Sequence, residues 1–99
     1  MRIGEVIGTV TLSTCHPSLT GGRYRLVVPY SLDDLQKLSA GSAVATQAEE
    51  LVVYDELGTG IGSLIAFSEG VEAAQPFAPN YKPLDAYNAA ILDQIEMTN

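Results

Sequence analysis

The stretch with most potential for chemistry in this chain of 99 residues is Asp55-Glu56-Leu57-Gly58-Thr59-Gly60-Ile61-Gly62-Ser63, which runs straight into the apolar Leu64-Ile65-Ala66-Phe67. Alternating glycines mark a place where a ligand or another backbone comes close. Phosphate is the first candidate. A dinucleotide site needs G-x-G-x-x-G between a strand and a helix, so that the helix N-terminus receives the pyrophosphate. Here the spacing is G-x-G-x-G, and the exit is an apolar and aromatic run with strand character. A P-loop needs a lysine after its last glycine, whereas Ser63 follows Gly62 without one. The plain alternative is a glycine-rich turn between strands. Asp55 leads into that turn and is of the type that hydrogen-bonds backbone amides a few residues on.

Two other features have the residue types of a reactive site. Cys15-His16 is the only adjacent pair of nucleophile and base. Neighbours in a strand or turn point apart, so the two are not placed to share a proton. Zinc needs three or four ligands, and the chain has a single Cys and a single His. The carboxylate pairs Asp33/Asp34, Glu49/Glu50 and Asp55/Glu56 resemble general acid–base pairs. That work needs one member buried with a raised pKa, and solvated surface acids are far commoner. No constellation here supports an enzyme, a cofactor or a metal.

Composition narrows the classes further. The length suits one domain, residues 1–99, with a modest core. Hydrophobic residues make up 46% and charged ones 17%, the latter below the roughly 25% of typical domains. Apolar surface is therefore left over for a partner, which points to an oligomer. The net charge is −7, and the basic residues Arg2, Arg23, Arg25, Lys37 and Lys82 are scattered. Nucleic acid and acidic lipid surfaces both need clustered cations, so neither is an expected partner. A lone Cys15 excludes an internal disulfide, and neither a signal-peptide pattern nor a membrane-spanning run is present. A reduced, cytoplasmic protein is the expectation.

The elements that must hold the glycine loop are mostly strands. Residues 2–13 alternate, with Gly4, Val6, Gly8, Val10 and Leu12 on one face, as in a half-buried strand. Inward glycines suggest the close packing of a small barrel. Gly21-Gly22 turns the chain into a second strand, with Tyr24, Leu26, Val28 and Tyr30 on one face and Pro29 ending it. Ser31 and Asp34 form a helix-start signal, and Leu32, Leu35 and Leu38 give a short apolar stripe before Gly41. Residues 42–55 carry a third strand and a further element at Leu51-Val52-Val53-Tyr54, with Glu49-Glu50 before it a solvated turn. Leu64–Phe67 is apolar at every position, so it is a strand covered on both faces. One helical turn fits residues 70–75, before Pro76, Pro79 and Pro83 break regular structure. In residues 84–96, Leu84, Tyr87, Ile91 and Ile95 fit a helix while Ala89, Ile91, Asp93 and Ile95 fit a strand. The pattern alone leans to helix.

Three segments together resemble a known family, the pentameric vertex proteins of bacterial microcompartment shells (the EutN/CcmL family). They are Met1–Val10 with Pro17-Ser18-Leu19 and Leu26-Val27-Val28; Asp55–Ile65 with Gly70 and Ala73-Ala74, similar to the signature D-x-x-G-x-G-x-G; and Pro83-Leu84-Asp85-Ala86 with Ala90–Ile95. The likeness spans nearly the whole chain. Two features depart from it: Ser63 stands where many relatives carry Glu, and residues 31–50 look longer than the equivalent connection.

The resemblance implies a mainly β fold, a small five-stranded OB-like β-barrel with one or two short helices, and an extended segment at residues 88–95. It also implies a structural shell protein without catalysis, localised in the shell of a cytoplasmic compartment. Its partners would be four further copies in a homopentamer, and the hexameric shell proteins of the facets. A ring joins two different patches of each copy. On this reading Asp55, Gly58, Thr59, Gly60, Gly62 and Ser63 lie at the subunit interface or central opening. The competing reading is an OB-like module for single-stranded nucleic acid or oligosaccharide. The nucleic-acid version needs stacking aromatics in a basic groove, and Tyr24, Tyr30, Tyr54, Phe67, Phe77, Tyr81 and Tyr87 show no clustered basic companions in the sequence.

Overall fold

The alternating N-terminal segment forms a strand, β1 (Arg2–Val10), in the computed structural model, which describes residues 1–42, 44, 48–80 and 82–97. Strand β2 (Tyr24–Pro29) pairs antiparallel with β1, and β3 (Leu51–Tyr54) pairs antiparallel with β2. On the other side of β1 lies β4 (Leu64–Glu69), which in turn pairs antiparallel with β5 (Ala86–Leu92). The ring closes where β3 meets β5 in parallel, Tyr54 opposite Tyr87. The result is a closed barrel of order β1-β2-β3-β5-β4. With the short helices α1 (Leu32–Ser39) and α2 (Val71–Ala74) it is the mainly β, five-stranded barrel expected above.

The barrel is filled by Val6, Val27, Val53, Ile65 and Phe67, all at 0% exposure, with Ala86 beside them. Each such side chain contributes about 1.5–3 kcal/mol by leaving water. Gly4 makes room for them: a Cβ there would sit 2.6 Å from the Val28 carbonyl oxygen and 2.8 Å from Val27 Cγ1. At Gly8 the nearest atom would be Leu26 Cβ at 3.6 Å, an ordinary contact. The expected tight packing therefore applies at Gly4 and not at Gly8.

Three expectations need correction. On β2 the buried residues are Tyr24, Val27 and Pro29, not the even-numbered set. The register of β1 against β2 slips between Val6 and Gly8, leaving Ile7 as an extra, exposed residue. A bulge of this kind bends the ladder locally, and the inward phase of β2 changes at the same level. The first strand also ends at Val10 rather than residue 13, its last rung being Val10 with Tyr24. Finally, residues 84–96 do not form a helix. Residues 86–92 pair with β4 from Glu69 opposite Ala86 to Leu64 opposite Leu92, with one slip between Ala66 and Phe67 that leaves Ala89 as an extra residue. The strand implied for 88–95 is real but begins at Ala86 and stops at Leu92.

The remaining elements follow their local signals. Ser31 and Asp34 close a reciprocal capping box at the start of α1, and Gly41 follows its end with φ 80°. Leu35 and Leu38 are half-buried and Leu32 is exposed, as in a surface helix. Leu51–Tyr54 is itself the third strand. Of residues 42–50, where an additional strand is expected, 43 and 45–47 lie outside the described residues, and 42, 44 and 48–50 are not in a strand. Strand β4 buries Ile65, Ala66 and Phe67 on both its faces, and α2 packs back on β4 and β5 with Ala73 at 0% exposure.

Candidate functional site

Asp55 follows β3 directly and turns its carboxylate inward, where its side chain has 0% exposure. Oδ1 accepts hydrogen bonds from the Leu57 amide and Asn88 Nδ2, both at 3.0 Å. Oδ2 accepts from the Thr59 amide at 2.9 Å, Thr59 Oγ1 at 2.8 Å and Arg25 Nε at 3.2 Å. A carboxylate surrounded by donors only is held ionised. Burial by itself pushes this carboxyl up, but the bonds from Asn88, Thr59 and Leu57 outweigh it and hold it at about 2. Such a group has no proton to give near neutrality and no free lone pair to take one. The Asp55/Glu56 pair is therefore a fastening, not an acid–base pair: Glu56 is exposed and accepts from Tyr87 Oη at 2.7 Å.

The loop that Asp55 fastens runs from the end of β3 to the start of β4. Thr59 is buried at 4% exposure, while Gly58, Gly60 and Gly62 are exposed. Gly58 and Gly62 have φ of 79° and 92°, the left-handed region that favours glycine. At Gly60 the case is different: a Cβ would meet nothing within 4 Å. Ser63 turns its hydroxyl to the Gly60 amide at 3.2 Å, and its amide donates to the Gly60 carbonyl at 3.1 Å. The Gly62 amide donates to the Val6 carbonyl at 2.8 Å, and the Val6 amide to the Ser63 carbonyl at 2.9 Å. All six residues singled out in the sequence thus belong to one fastened loop, with Asp55 and Thr59 inside and the others outside. The amides of Thr59, Gly60 and Gly62 are spent on Asp55, Ser63 and Val6 of β1 rather than converging on an empty anion cradle.

Two partners were not singled out by sequence. Arg25 and Asn88 stand 30 and 33 positions from Asp55 and reach it only because β2 and β5 flank β3. Asn88 did leave a trace, a lone amide in the apolar run Ala86–Leu92. Arg25 also donates to Thr9 Oγ1 at 3.4 Å, so the network touches β1 as well.

Four of the aromatic residues are brought together by the fold. Tyr24, Tyr54, Phe77 and Tyr87 form one cluster, with edge-to-face pairs at 5.3–5.5 Å and Tyr54 stacked on Tyr87 at 6.3 Å. Lys82 lies over it, 5.1 Å from the Tyr54 ring and 4.9 Å from Phe77, and its ammonium donates to the Ser18 carbonyl. The rings thus have one basic companion, not a cluster of them. Yet Tyr24 and Tyr54 are 6% and 8% exposed, so they are packed against each other and not laid open for bases to stack on. His16 caps a short 3-10 helix at Pro17–Leu19, its Nδ1 accepting from the Ser18 amide at 3.2 Å. Among the described residues no three of His, Cys, Asp and Glu are grouped to hold a metal ion, and no helix is long and apolar enough to cross a membrane.

On this closed barrel the tied glycine loop exposes two apolar side chains, Leu57 at 49% and Ile61 at 76%, a surface suited to contact with another protein. Comparison with known proteins gives the class a family. Residues 1–93 match the family described as ethanolamine utilisation protein EutN/carboxysome, and the chain belongs to this EutN/CcmL family. It is 31% identical to the carboxysome shell vertex protein CcmL of Gloeobacter violaceus, over 100% of this chain and 89% of that one. It is also 31% identical to the microcompartment shell vertex protein GrpN of Rhodospirillum rubrum, with 100% of both chains covered. The solved structure of GrpN, described as a pentameric microcompartment shell protein, superposes with a TM-score of 0.77 at 26% identity, again with 100% of both chains covered.

Proposed function

We propose that five copies of this protein form a ring that caps a vertex of a polyhedral bacterial microcompartment shell, and that the protein has no catalytic role. The observation that carries the reading is the end-to-end match to vertex proteins, one of them pentameric in its solved structure. The fivefold gap in such a shell lies between facets, so hexameric shell proteins would be the outer neighbours of the ring and the cytoplasm its setting. The loop Asp55–Ser63 then lies at the contact between copies or around the central opening. Gly60 supports this placement, because its own chain gives no reason for a missing side chain there. The crowding that selects glycine would come from the converging neighbours.

The binding-module alternative is not favoured: the net charge is −7 and the clustered rings are packed on one another. Native mass spectrometry tests the ring. The expected species has five times the 10.5 kDa subunit mass, and replacing Gly60 with valine should deplete it while leaving the barrel folded. A stable monomer at micromolar concentration would overturn the reading, and an undiminished pentamer of the Gly60 variant would move the loop away from the contact.

A further inference from the structure

Each copy carries a net charge of −7, so five copies brought together repel one another. A cation on one of the two faces of a heterologous contact offsets part of that repulsion. The chain has five basic side chains, and four are engaged within the fold. Arg2 pairs with Glu69 at 3.1 Å, Lys37 with Asp33 at 3.1 Å and Arg25 with Asp55 at 3.2 Å. Lys82 is taken up by the Ser18 carbonyl and the faces of Tyr54 and Phe77. Arg23 is left: it is exposed and makes no ion pair or side-chain hydrogen bond among the described residues.

Its position is not arbitrary. The Arg23 carbonyl accepts from the Asp55 amide at 2.8 Å, which ties its backbone to the start of the glycine loop. A Cβ on Gly58 would lie 3.6 Å from Arg23 Nη1, so the guanidinium lies alongside the loop itself. The same loop exposes Leu57 and Ile61. An arginine beside exposed aliphatic side chains is the composition that interface centres favour, and its planar fork suits a carboxylate. Because Asp55 fixes the loop through five hydrogen bonds, the surface is already shaped in the free subunit, which lowers the ordering cost of docking. Acids to receive the arginine are plentiful: Glu49, Glu50, Glu72 and Asp93 are exposed and in no ion pair among the described residues.

We propose that Arg23, with Leu57 and Ile61, forms one half of the contact between neighbouring copies, and that Arg23 meets a carboxylate of the next copy there. The proposal rests on the ring reading above. Charge complementarity selects this occupant, since a second copy of an acidic chain supplies a carboxylate for the Arg23 guanidinium, which its own chain does not pair.

The test compares the full-length chain with its Arg23→Gln and Arg23→Glu variants by native mass spectrometry and sedimentation over a dilution series, with melting curves in parallel. Because the Arg23 side chain makes no ion pair or hydrogen bond among the described residues of its own subunit, and either variant keeps the backbone bond to Asp55, melting of the dissociated subunit should change little. The subunit concentration at half-assembly should rise about tenfold or more for Arg23→Gln, and further for Arg23→Glu, as expected when one member of a desolvated charge pair is removed. Added salt should weaken the unsubstituted ring more than the Arg23→Gln ring. If the unsubstituted chain is itself monomeric, the ring reading fails. If it is pentameric and both variants assemble at the same concentration, the ring stands and the Arg23 contact is wrong. Should Arg23→Glu fail to fold, Arg23→Gln decides alone.

Discussion

Asn88 Nδ2 donates to Asp55 Oδ1 across 3.0 Å, and this bond joins the strand that closes the barrel to the start of the glycine loop. Both residues are 1% exposed. Neither finds water in place of the other, so the loop and the closing strand are held as one body.

Replacing Asp55 with asparagine should therefore be costly. The amide supplies one acceptor where five donors converge, leaving buried N–H groups and the Arg25 charge without a partner. The expected loss is about 2–4 kcal/mol, read by urea unfolding. Acid should reproduce part of it. The folded state holds this carboxyl at about 2 against 3.8 for the free group, so its stabilisation is whole above the unfolded value and declines as pH falls from about 4 towards 2. That linkage amounts to about 2 kcal/mol. Melting curves of Asp55→Asn should accordingly fall less steeply through the same interval; parallel curves would show that the acid sensitivity lies elsewhere.

Glycine substitutions should sort by physical cause. Gly4→Ala places a Cβ 2.6 Å from the Val28 carbonyl oxygen, a backbone atom that cannot swing aside. A loss of at least about 2 kcal/mol is expected. Gly62→Ala meets no atom but must hold φ at 92°, for about 1–2 kcal/mol. Gly60→Ala has neither problem, so the subunit's own stability should stay within about 0.5 kcal/mol of the parent. Chemical denaturation of dissociated subunits ranks the three, and a Gly60 variant as damaged as the Gly4 variant would contradict the structure.

Alkaline unfolding should report on Tyr30. Burial, then the hydrogen bond to Glu5 at 2.6 Å, push its phenol up to about 12 from 10.0. The folded state thus keeps the proton that the unfolded chain gives up. The resulting stabilisation is full below the unfolded value and declines as pH rises from about 10 towards 12. Tyr30→Phe should flatten that decline in denaturation midpoints measured across this range, although Tyr87, raised to about 12 by its bond to Glu56, will keep part of it.

Much of this was legible in the sequence, because its physics is local. Ser31 and Asp34 announce their capping box within four residues, and Asp55 has the side chain that seeks amides two and four positions on, as it does at Leu57 and Thr59. What sequence could not supply depends on register between distant segments. Arg25 and Asn88 join Asp55 only through the order of strands around the barrel. The inward phase of β2 is set by a slip in β1, not by its own alternation. The closing segment repeats Leu84, Tyr87, Ile91 at helical spacing, yet Ile91 is 49% exposed there. The ladder with β4 and the fit of small Ala86 and Asn88 to the interior override that spacing.

Closure of the strands has one more result. Among the described residues each strand of the barrel has a bonded neighbour on both sides, with β3 and β5 meeting at the single pair Tyr54 and Tyr87, so little of the backbone edge is left for a foreign strand. Recognition between copies then falls mainly to side chains and loops, where spelling can change without disturbing the scaffold beneath. A chain that shares 26% of its residues with a relative can thus keep a TM-score of 0.77 to it. What fits one such subunit to its neighbours is then free to drift from one compartment to the next.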